Sequence, residues 1–272
     1  MRRESKRYCV SQKTCLLLLH FLHDIEKGEL LHMTIHVVTS PGVISRKNAK
    51  RYLSEHLIFP ETVTSIEEEA FMRQPCIKKI TFPEGLEHIG ARAFQDCIHL
   101  QALDLPDSLT AFDKEAFAGC KGLAAIKLPS SLKNIPDKAF YKCRKLENIL
   151  LPEGIQKIGE GAFYFANIAE LHLPSTITAI KDKAFFRCNR LTSVTIPPSV
   201  ERIGEEAFHG CNHLKVLEIA HEPRYIGERV VNRSTKIRCY KNSKVDVYCQ
   251  KNQILAEYIE NNFYIDKSIE LC

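Results

Sequence analysis

The sequence of 272 residues lacks the patterns that mark a membrane span, a zinc site or a nucleotide-binding loop. Its most concentrated apolar run, Cys15–Leu22, is far shorter than the ~20 residues that a helix needs to cross a bilayer. The eleven cysteines form no CxxC pair, a spacing that is typical of zinc ligands. Gly159-Glu160-Gly161 does not have the spacing of a phosphate-binding glycine loop. We therefore expect no transmembrane segment, no metal and no cofactor.

The histidines and carboxylates do not form a catalytic pattern either. Six of the histidines fall at unrelated positions in the chain: His88, His99, His172, His209, His213 and His221. No base is paired in sequence with a group that would orient it, and the acidic residues crowd segments that read as solvated turns. We expect no catalytic residues and interpret the protein as a non-enzyme.

Positive charge is concentrated near the N-terminus. Residues 1–55 contain 10 Lys/Arg and 5 Asp/Glu, whereas residues 56–272 contain 28 of each kind. A body without net charge argues against a nucleic-acid groove or a face that binds an anionic membrane. We therefore expect no nucleic-acid partner.

A 23-residue repeat dominates the chain between Pro60 and Ile219. Its prolines recur, with one step of 22 residues, at positions 60, 83, 106, 129, 152, 174 and 197, which begin units 1 to 7. An Ala-Phe pair follows each proline in the same phase, at 70-71, 93-94, 116-117, 139-140, 162-163, 184-185 and 207-208. A fixed period of this length is typical of a solenoid, in which each unit stacks on the next.

Each unit reads as a short strand, a crossing segment and a turn. The run Leu-x-x-Ile-x-Leu alternates inward and outward, which predicts a strand, and the next proline ends it because proline has no N–H for a ladder. The following segment crosses to the far side, and x-x-Ala-Phe-x-x-Cys fits a single helical turn. We expect the strands to form one parallel sheet along the array, and the Phe rings to stack as a spine.

Five cysteines occupy one repeat position: Cys97, Cys120, Cys143, Cys188 and Cys211. Repeats that stack at about 4.8 Å place these side chains in a parallel ladder, and parallel Cβ vectors do not meet the dihedral requirement of a disulfide. We interpret the five cysteines as small buried hydrophobic residues. The redox compartment stays open.

The pattern Leu-x-x-Ile-x-Leu-Pro-x-x-Leu-x-x-Ile-x-x-x-Ala-Phe-x-x-Cys resembles the BspA-type leucine-rich repeat over about 160 residues. The resemblance implies a leucine-rich-repeat solenoid of stacked short parallel strands, with turn or 3-10 elements on the opposite side and helical caps at the ends. It also implies a protein that acts by recognition. Members are found on bacterial and protist surfaces, where adhesion and binding to host matrix are the usual proposals.

The regions outside the repeats divide the chain further. We predict an N-terminal extension with a helix at 1–32, an N-terminal cap at 33–56, the solenoid at 57–242 with seven full units over 60–219 and a degenerate eighth, and a C-terminal cap helix and tail at 243–272. The start of the chain resembles a signal peptide, but no small-residue cleavage site follows it. Translation from Met33 is the alternative start. Ser243 is a candidate N-cap for a helix from Lys244 to Asn252.

Unit 5 departs from the pattern. One residue is missing between Ala166 and Ile168, and Ala166 stands where the other full units from unit 2 onward have the ladder cysteine. We expect a tighter turn into the following strand and a small kink in the stack. Neutral drift in a tolerant turn is the alternative.

The outward residues of the strand row are the first candidate surface for a partner. Seven strands at ~4.8 Å spacing span roughly 34 Å, which is enough for a standard protein interface. The candidate residues lie in the middle of the row: Lys127, Asn148, Leu150, Glu170, His172 and Thr195. An ordinary solvated sheet face is the alternative.

The second candidate surface follows the Ala-Phe pairs. Tyr141, Tyr164 and Phe186 occupy one position in three successive units, with Phe165 beside them, and this predicts an aromatic strip. Exposed neighbouring aromatic residues are enriched at contacts with partners. Packing over the Phe spine is the alternative.

We therefore expect a non-catalytic module for protein–protein interaction, with a protein or peptide partner. The alternative is a secreted or surface adhesin that binds host matrix or glycans, and a weaker one is an accessory to a carbohydrate-processing enzyme. The lack of a complete signal peptide favours a cytoplasmic location over a secreted or surface one. The sequence leaves the oligomeric state open.

Overall fold

The computed structural model describes residues 35–38, 42–52 and 54–260, and these form a parallel β-solenoid. Two rows of short strands run along it, and every strand pair is parallel. The predicted helix within residues 1–32 and the tail beyond residue 260 lie outside the described residues. No helix within the described part of the chain is long and apolar enough to cross a membrane.

The first row contains the strands predicted from Leu-x-x-Ile-x-Leu and, at its ends, further strands outside that pattern. They are β1 Ile35–Val37, β3 His56–Ile58, β5 Lys79–Thr81, β7 Ala102–Asp104, β9 Ala125–Lys127, β11 Asn148–Leu150, β14 Ser193–Ile196, β16 Val216–Ile219, β18 Lys236–Cys239 and β19 Ala256–Tyr258. Hydrogen bonds divide this row into three sheets, β1-β3-β5, β7-β9-β11 and β14-β16-β18-β19, instead of the single sheet expected.

The second row forms where each unit crosses to the far side. Its strands are β2 Gly42–Ile44, β4 Val63–Ile66, β6 His88–Ile89, β8 Ala111–Phe112, β10 Asn134–Ile135, β12 Lys157–Ile158, β13 Ala179–Ile180, β15 Arg202–Ile203 and β17 Tyr225–Ile226. They form two sheets, β2-β4-β6-β8 and β10-β12-β13-β15-β17. The second of these sheets runs through unit 5 without a break.

The segment around each Ala-Phe pair is a series of tight turns, so the predicted single helical turn is not formed. In unit 2, Arg92 and Asp96 have φ angles of 56° and 58°, and the equivalent residues of the other full units are also left-handed. This conformation interrupts a right-handed helix. It aims alternate N–H groups at the next unit: Phe94 N donates to Ala116 O at 2.8 Å, and Asp96 N to Ala118 O at 2.7 Å.

The core is built from residues that repeat in register. The seven Phe rings of the Ala-Phe pairs are fully buried, and neighbouring rings stack with centroids 5.1–5.9 Å apart. The predicted Phe spine is therefore confirmed. The five ladder cysteines are buried and free, as predicted.

Each ladder thiol also makes a hydrogen bond that the sequence did not reveal. The Sγ atom donates to the Phe carbonyl of the preceding unit, for example from Cys120 to Phe94 O at 3.2 Å. Because Ala166 has no thiol, Phe140 O receives no such bond. Unit 5 therefore differs from its neighbouring units in the hydrogen bonds of its core as well as in the strand row.

The ends of the array contain little helix. The only helix near the N-terminal end of the described residues is α1, Arg46–Ala49, which Ser45 caps. The predicted helix Lys244–Asn252 is present as α2, and its N-cap Ser243 accepts a hydrogen bond from Asp246 N at 3.1 Å. Helical caps are not confirmed, because β1 and β2 precede α1, and β19 follows α2 and pairs with β18.

Candidate interaction surfaces

The structure places the first three strand-face candidates side by side on β9 and β11. Leu150 is paired in register with Lys127, and Asn148 lies two residues before Leu150 on the same face. Leu150 is 75% exposed, the highest value among the large hydrophobic residues of the described chain. Lys127 Nζ lies 3.3 Å from Asp104 Oδ1, so its charge is partly compensated on the surface.

The other three candidates, Glu170, His172 and Thr195, lie beyond a break in the strand row. Residues 170–172 of unit 5 occupy the place of a strand but form no ladder with β11 or β14. Ala169 N still donates to Glu147 O at 3.4 Å, but the equivalent bond from residue 192 to residue 169 is missing from the backbone bonds of the described residues. The residue missing before Ile168 shortens the approach to this strand, and we attribute the break to that deletion.

A groove opens at the break. It has a volume of about 790 Å³, and its lining includes Glu170, His172 and Thr195 together with the half-buried Leu173. The six strand-face candidates are therefore brought together as two groups, an exposed apolar site at Leu150 and a groove with both polar and apolar lining next to it. Sequence reasoning noted the short unit but did not predict that it would open the sheet.

The predicted aromatic strip is formed, and its rings pack on one another. The ring centroids of Tyr141 and Tyr164 are 4.9 Å apart, and those of Tyr164 and Phe186 are 4.7 Å apart with planes 13° from parallel. Phe165 meets Tyr164 edge-on at 5.1 Å. All four side chains are half-buried, so each ring keeps part of its surface in contact with solvent.

Phe165 shares the left-handed backbone of its repeat position and has basic neighbours. Its φ of 61° lies in the left-handed region, which costs a bulky L-residue roughly 1–2 kcal/mol. The guanidinium groups of Arg187 and Arg144 lie 5.1 Å and 5.7 Å from the centre of its ring. A shallow cavity of about 290 Å³ lies beside it, lined in part by Phe186 and His209.

The buried thiols are poorly suited to chemistry. Burial raises the pKa of Cys97 to about 12, and it raises the pKa values of Cys120, Cys143 and Cys188 strongly. Because the thiolate is the reactive form, these groups are inert in the folded protein. Among the described residues, no three His, Cys, Asp or Glu side chains lie together as a metal site would require.

Comparisons with known proteins agree with the repeat pattern. Residues 48–164 and 133–252 match the family described as the BspA type leucine rich repeat region, in 6 copies. No curated protein matches the chain.

Two solved structures are similar to this fold. A leucine-rich repeat protein of T. pallidum is 27% identical, with a TM-score of 0.56, over 67% of this chain and 87% of that one. A leucine rich cell surface protein of Faecalibacterium prausnitzii is 26% identical, with a TM-score of 0.54, over 60% of this chain. The match spans 47% of the F. prausnitzii protein. Together these similarities indicate a repeat-based interaction or surface module.

Proposed function

Because the chain belongs to the BspA-type leucine-rich repeat family, we propose that it is a non-catalytic protein-recognition module that binds through the strand face around Leu150. The observation that carries this proposal is the 75% exposure of Leu150 in the middle of a β-strand row. Covering a leucine side chain fully is worth about 1.5–3 kcal/mol, so a partner that buries Leu150 gains substantial affinity from one contact.

The surroundings of Leu150 support an interface with an apolar centre and a polar rim. Lys127 and Asn148 flank it on one side, and the groove lined by Glu170 and His172 begins on the other. An apolar centre surrounded by polar groups is the usual arrangement of protein interfaces. The groove offers space for a side chain of the partner next to the exposed leucine.

A capture experiment with matched variants tests this proposal. Tagged wild-type protein, Leu150→Asp and Val247→Asp are used as baits, and the recovered partners are compared by mass spectrometry. Val247 is a suitable control because it is also apolar and 60% exposed but lies on α2. We expect Leu150→Asp to lose partners that wild type and Val247→Asp both retain. Equal recovery with all three baits would remove the strand face as the contact surface.

A surface adhesin is the second candidate function, and the F. prausnitzii relative favours it. That relative is named a cell surface protein and is 26% identical to this chain. Cell fractionation distinguishes a surface location from the cytoplasmic location that the N-terminal sequence favours. Recovery outside the membrane, together with binding to immobilised matrix protein that Leu150→Asp abolishes, would support the adhesin. Recovery in the cytoplasm alone would reject it.

A further inference from the structure

Charge is segregated within the repeat although the repeat body as a whole is neutral. We define the basic edge as the segments that follow the central Ala residue in units 3 to 7, at 117–123, 140–146, 163–168, 185–191 and 208–214. These segments contain no Asp or Glu, and their Lys and Arg residues are Lys121, Lys142, Arg144, Lys145, Arg187 and Arg190. Several carboxylates of the same units lie in the turn before the Ala-Phe pair, as at Asp137 and Asp182. One edge of the solenoid is therefore positive.

The cations nearest to the aromatic strip have rings as neighbours instead of carboxylates. Lys142 Nζ lies 4.8 Å from the centre of the Tyr141 ring, and Arg187 lies over both Phe165 and Phe186. None of the described carboxylates comes within 4.0 Å of Lys142, Arg144 or Arg187. The positive charges of Lys142, Arg144 and Arg187 are therefore available to a negatively charged ligand.

The orientation of the rings also favours a negative ligand. Tyr164 and Phe186 stack, and Tyr141 packs on Tyr164 at a tilt of 32°, so we infer that the rings cover one another's faces and meet solvent at their edges. The edge of an aromatic ring is its positive region, while the face is negative. The hydroxyl groups of Tyr141 and Tyr164 have no hydrogen-bond partner among the described residues and are available as donors. Edges, hydroxyls and cations all prefer an anion.

We propose that the basic edge at units 4 to 6 binds an acidic, extended polypeptide segment. Bases in a single-stranded nucleic acid bind by stacking on ring faces, and here those faces are occupied by other rings or by cations. A long polyanion also requires many phosphate or sulfate contacts, whereas Lys142, Arg144 and Arg187 suffice for only a few carboxylates. Arginine can hold a carboxylate through two parallel hydrogen bonds. The cavity beside Phe186 and His209 takes an apolar side chain of the same segment.

Fluorescence anisotropy with synthetic peptides tests this proposal. The probe is a fluorescein-labelled decapeptide of alternating Glu and Leu, and the comparison peptide has Gln in place of Glu. We expect the acidic peptide to bind wild-type protein at 50 mM salt, with affinity that falls as salt is raised. The double variant Arg144→Gln/Arg187→Gln should bind about tenfold more weakly.

A charge-matched control separates a site from general attraction. Lys114→Gln/Lys133→Gln removes the same charge from two exposed residues outside the basic edge, and it should change affinity less than about twofold. Equal weakening by both double variants, or no binding of the acidic peptide to wild type, would overturn the proposal. Tighter binding of a sulfated polysaccharide or a single-stranded oligonucleotide would also overturn it. Circular dichroism of each variant confirms that the fold is retained. This surface is distinct from the strand face, so Leu150→Asp should leave peptide binding unchanged.

Discussion

Acid should destabilise this protein through His56, a buried residue on β3. Its side chain is 6% exposed, and Nε2 lies 2.9 Å from Thr81 Oγ1. Burial, with a smaller contribution from the nearby charge of Lys79, lowers the pKa of His56 from 6.5 to about 4. The folded protein therefore holds a neutral imidazole at a pH where the unfolded chain would already carry a proton.

The sign and size of the effect follow from this difference in pKa. Below pH 6.5 the unfolded state binds a proton that the folded state does not bind until about pH 4, so the free energy of unfolding decreases over that window. One pKa unit corresponds to about 1.4 kcal/mol, so the loss from His56 is about 2 kcal/mol at pH 5 and about 3 kcal/mol at pH 4. Above pH 7 the contribution vanishes.

Urea unfolding at several pH values, with a variant that cannot titrate, measures this loss. His56→Gln keeps a group that can hydrogen-bond to Thr81, and His172→Gln is a control at an exposed histidine. Relative to His56→Gln, wild type should lose about 2 kcal/mol between pH 7.5 and pH 5. His172→Gln should follow wild type across the range. A pH profile of His56→Gln that parallels wild type would refute the assignment of the acid sensitivity to His56.

Two further predictions concern the close contact between units and the ladder thiols. A Cβ at Gly204 would lie 2.3 Å from Asp182 N, whereas one at Gly85 would meet its nearest atom at 3.5 Å. Gly204→Ala should therefore lower the free energy of unfolding by about 1–3 kcal/mol. Gly85→Ala should raise the free energy of unfolding by roughly 0.4–1 kcal/mol. Equal effects of the two variants in urea titrations would contradict this prediction. The variant Cys9→Ser/Cys15→Ser/Cys272→Ser keeps eight cysteines. A thiol reagent should label only the half-buried Cys76 while this variant is folded, and all eight cysteines after it is unfolded in guanidinium. Rapid labelling of a ladder cysteine before unfolding, located by mass spectrometry of the labelled peptides, would show that the ladder is not sealed.

A strict period made the interior readable from the sequence. When equivalent residues recur every 23 positions, stacking of the units places each residue against the same residue type in the next unit. The Phe spine and the buried ladder of free cysteines could therefore both be predicted. The alternation of Leu-x-x-Ile-x-Leu likewise predicted which residues of each strand face outward, including Leu150. These features depend only on which residues are apolar and on the repeat period, and both can be read from the sequence.

The backbone geometry of the turns could not be read in the same way. Left-handed residues recur twice in each unit, but several of them, such as Lys138 and Lys142, carry long side chains where glycine would have been the signal. The sequence also revealed the short unit 5 without revealing that the strand row would part there, since that depends on where the shortened backbone relaxes. The basic edge was hidden because the charge was summed over the whole body and not over one repeat position.

The backbone hydrogen bonds between units join nearest neighbours, and this has a consequence for how the protein can vary. Phe94 bonds to Ala116 in the next unit and receives the Cys120 thiol from the same unit. The backbone of each unit is therefore held in place by the units directly before and after it. The groove, Leu150 and the basic edge at units 4 to 6 lie within residues 129–197, and the adjoining Lys127 and His209 belong to units 3 and 7. Whole units beyond these can therefore be gained or lost towards either end without removing a named residue of the recognition surfaces.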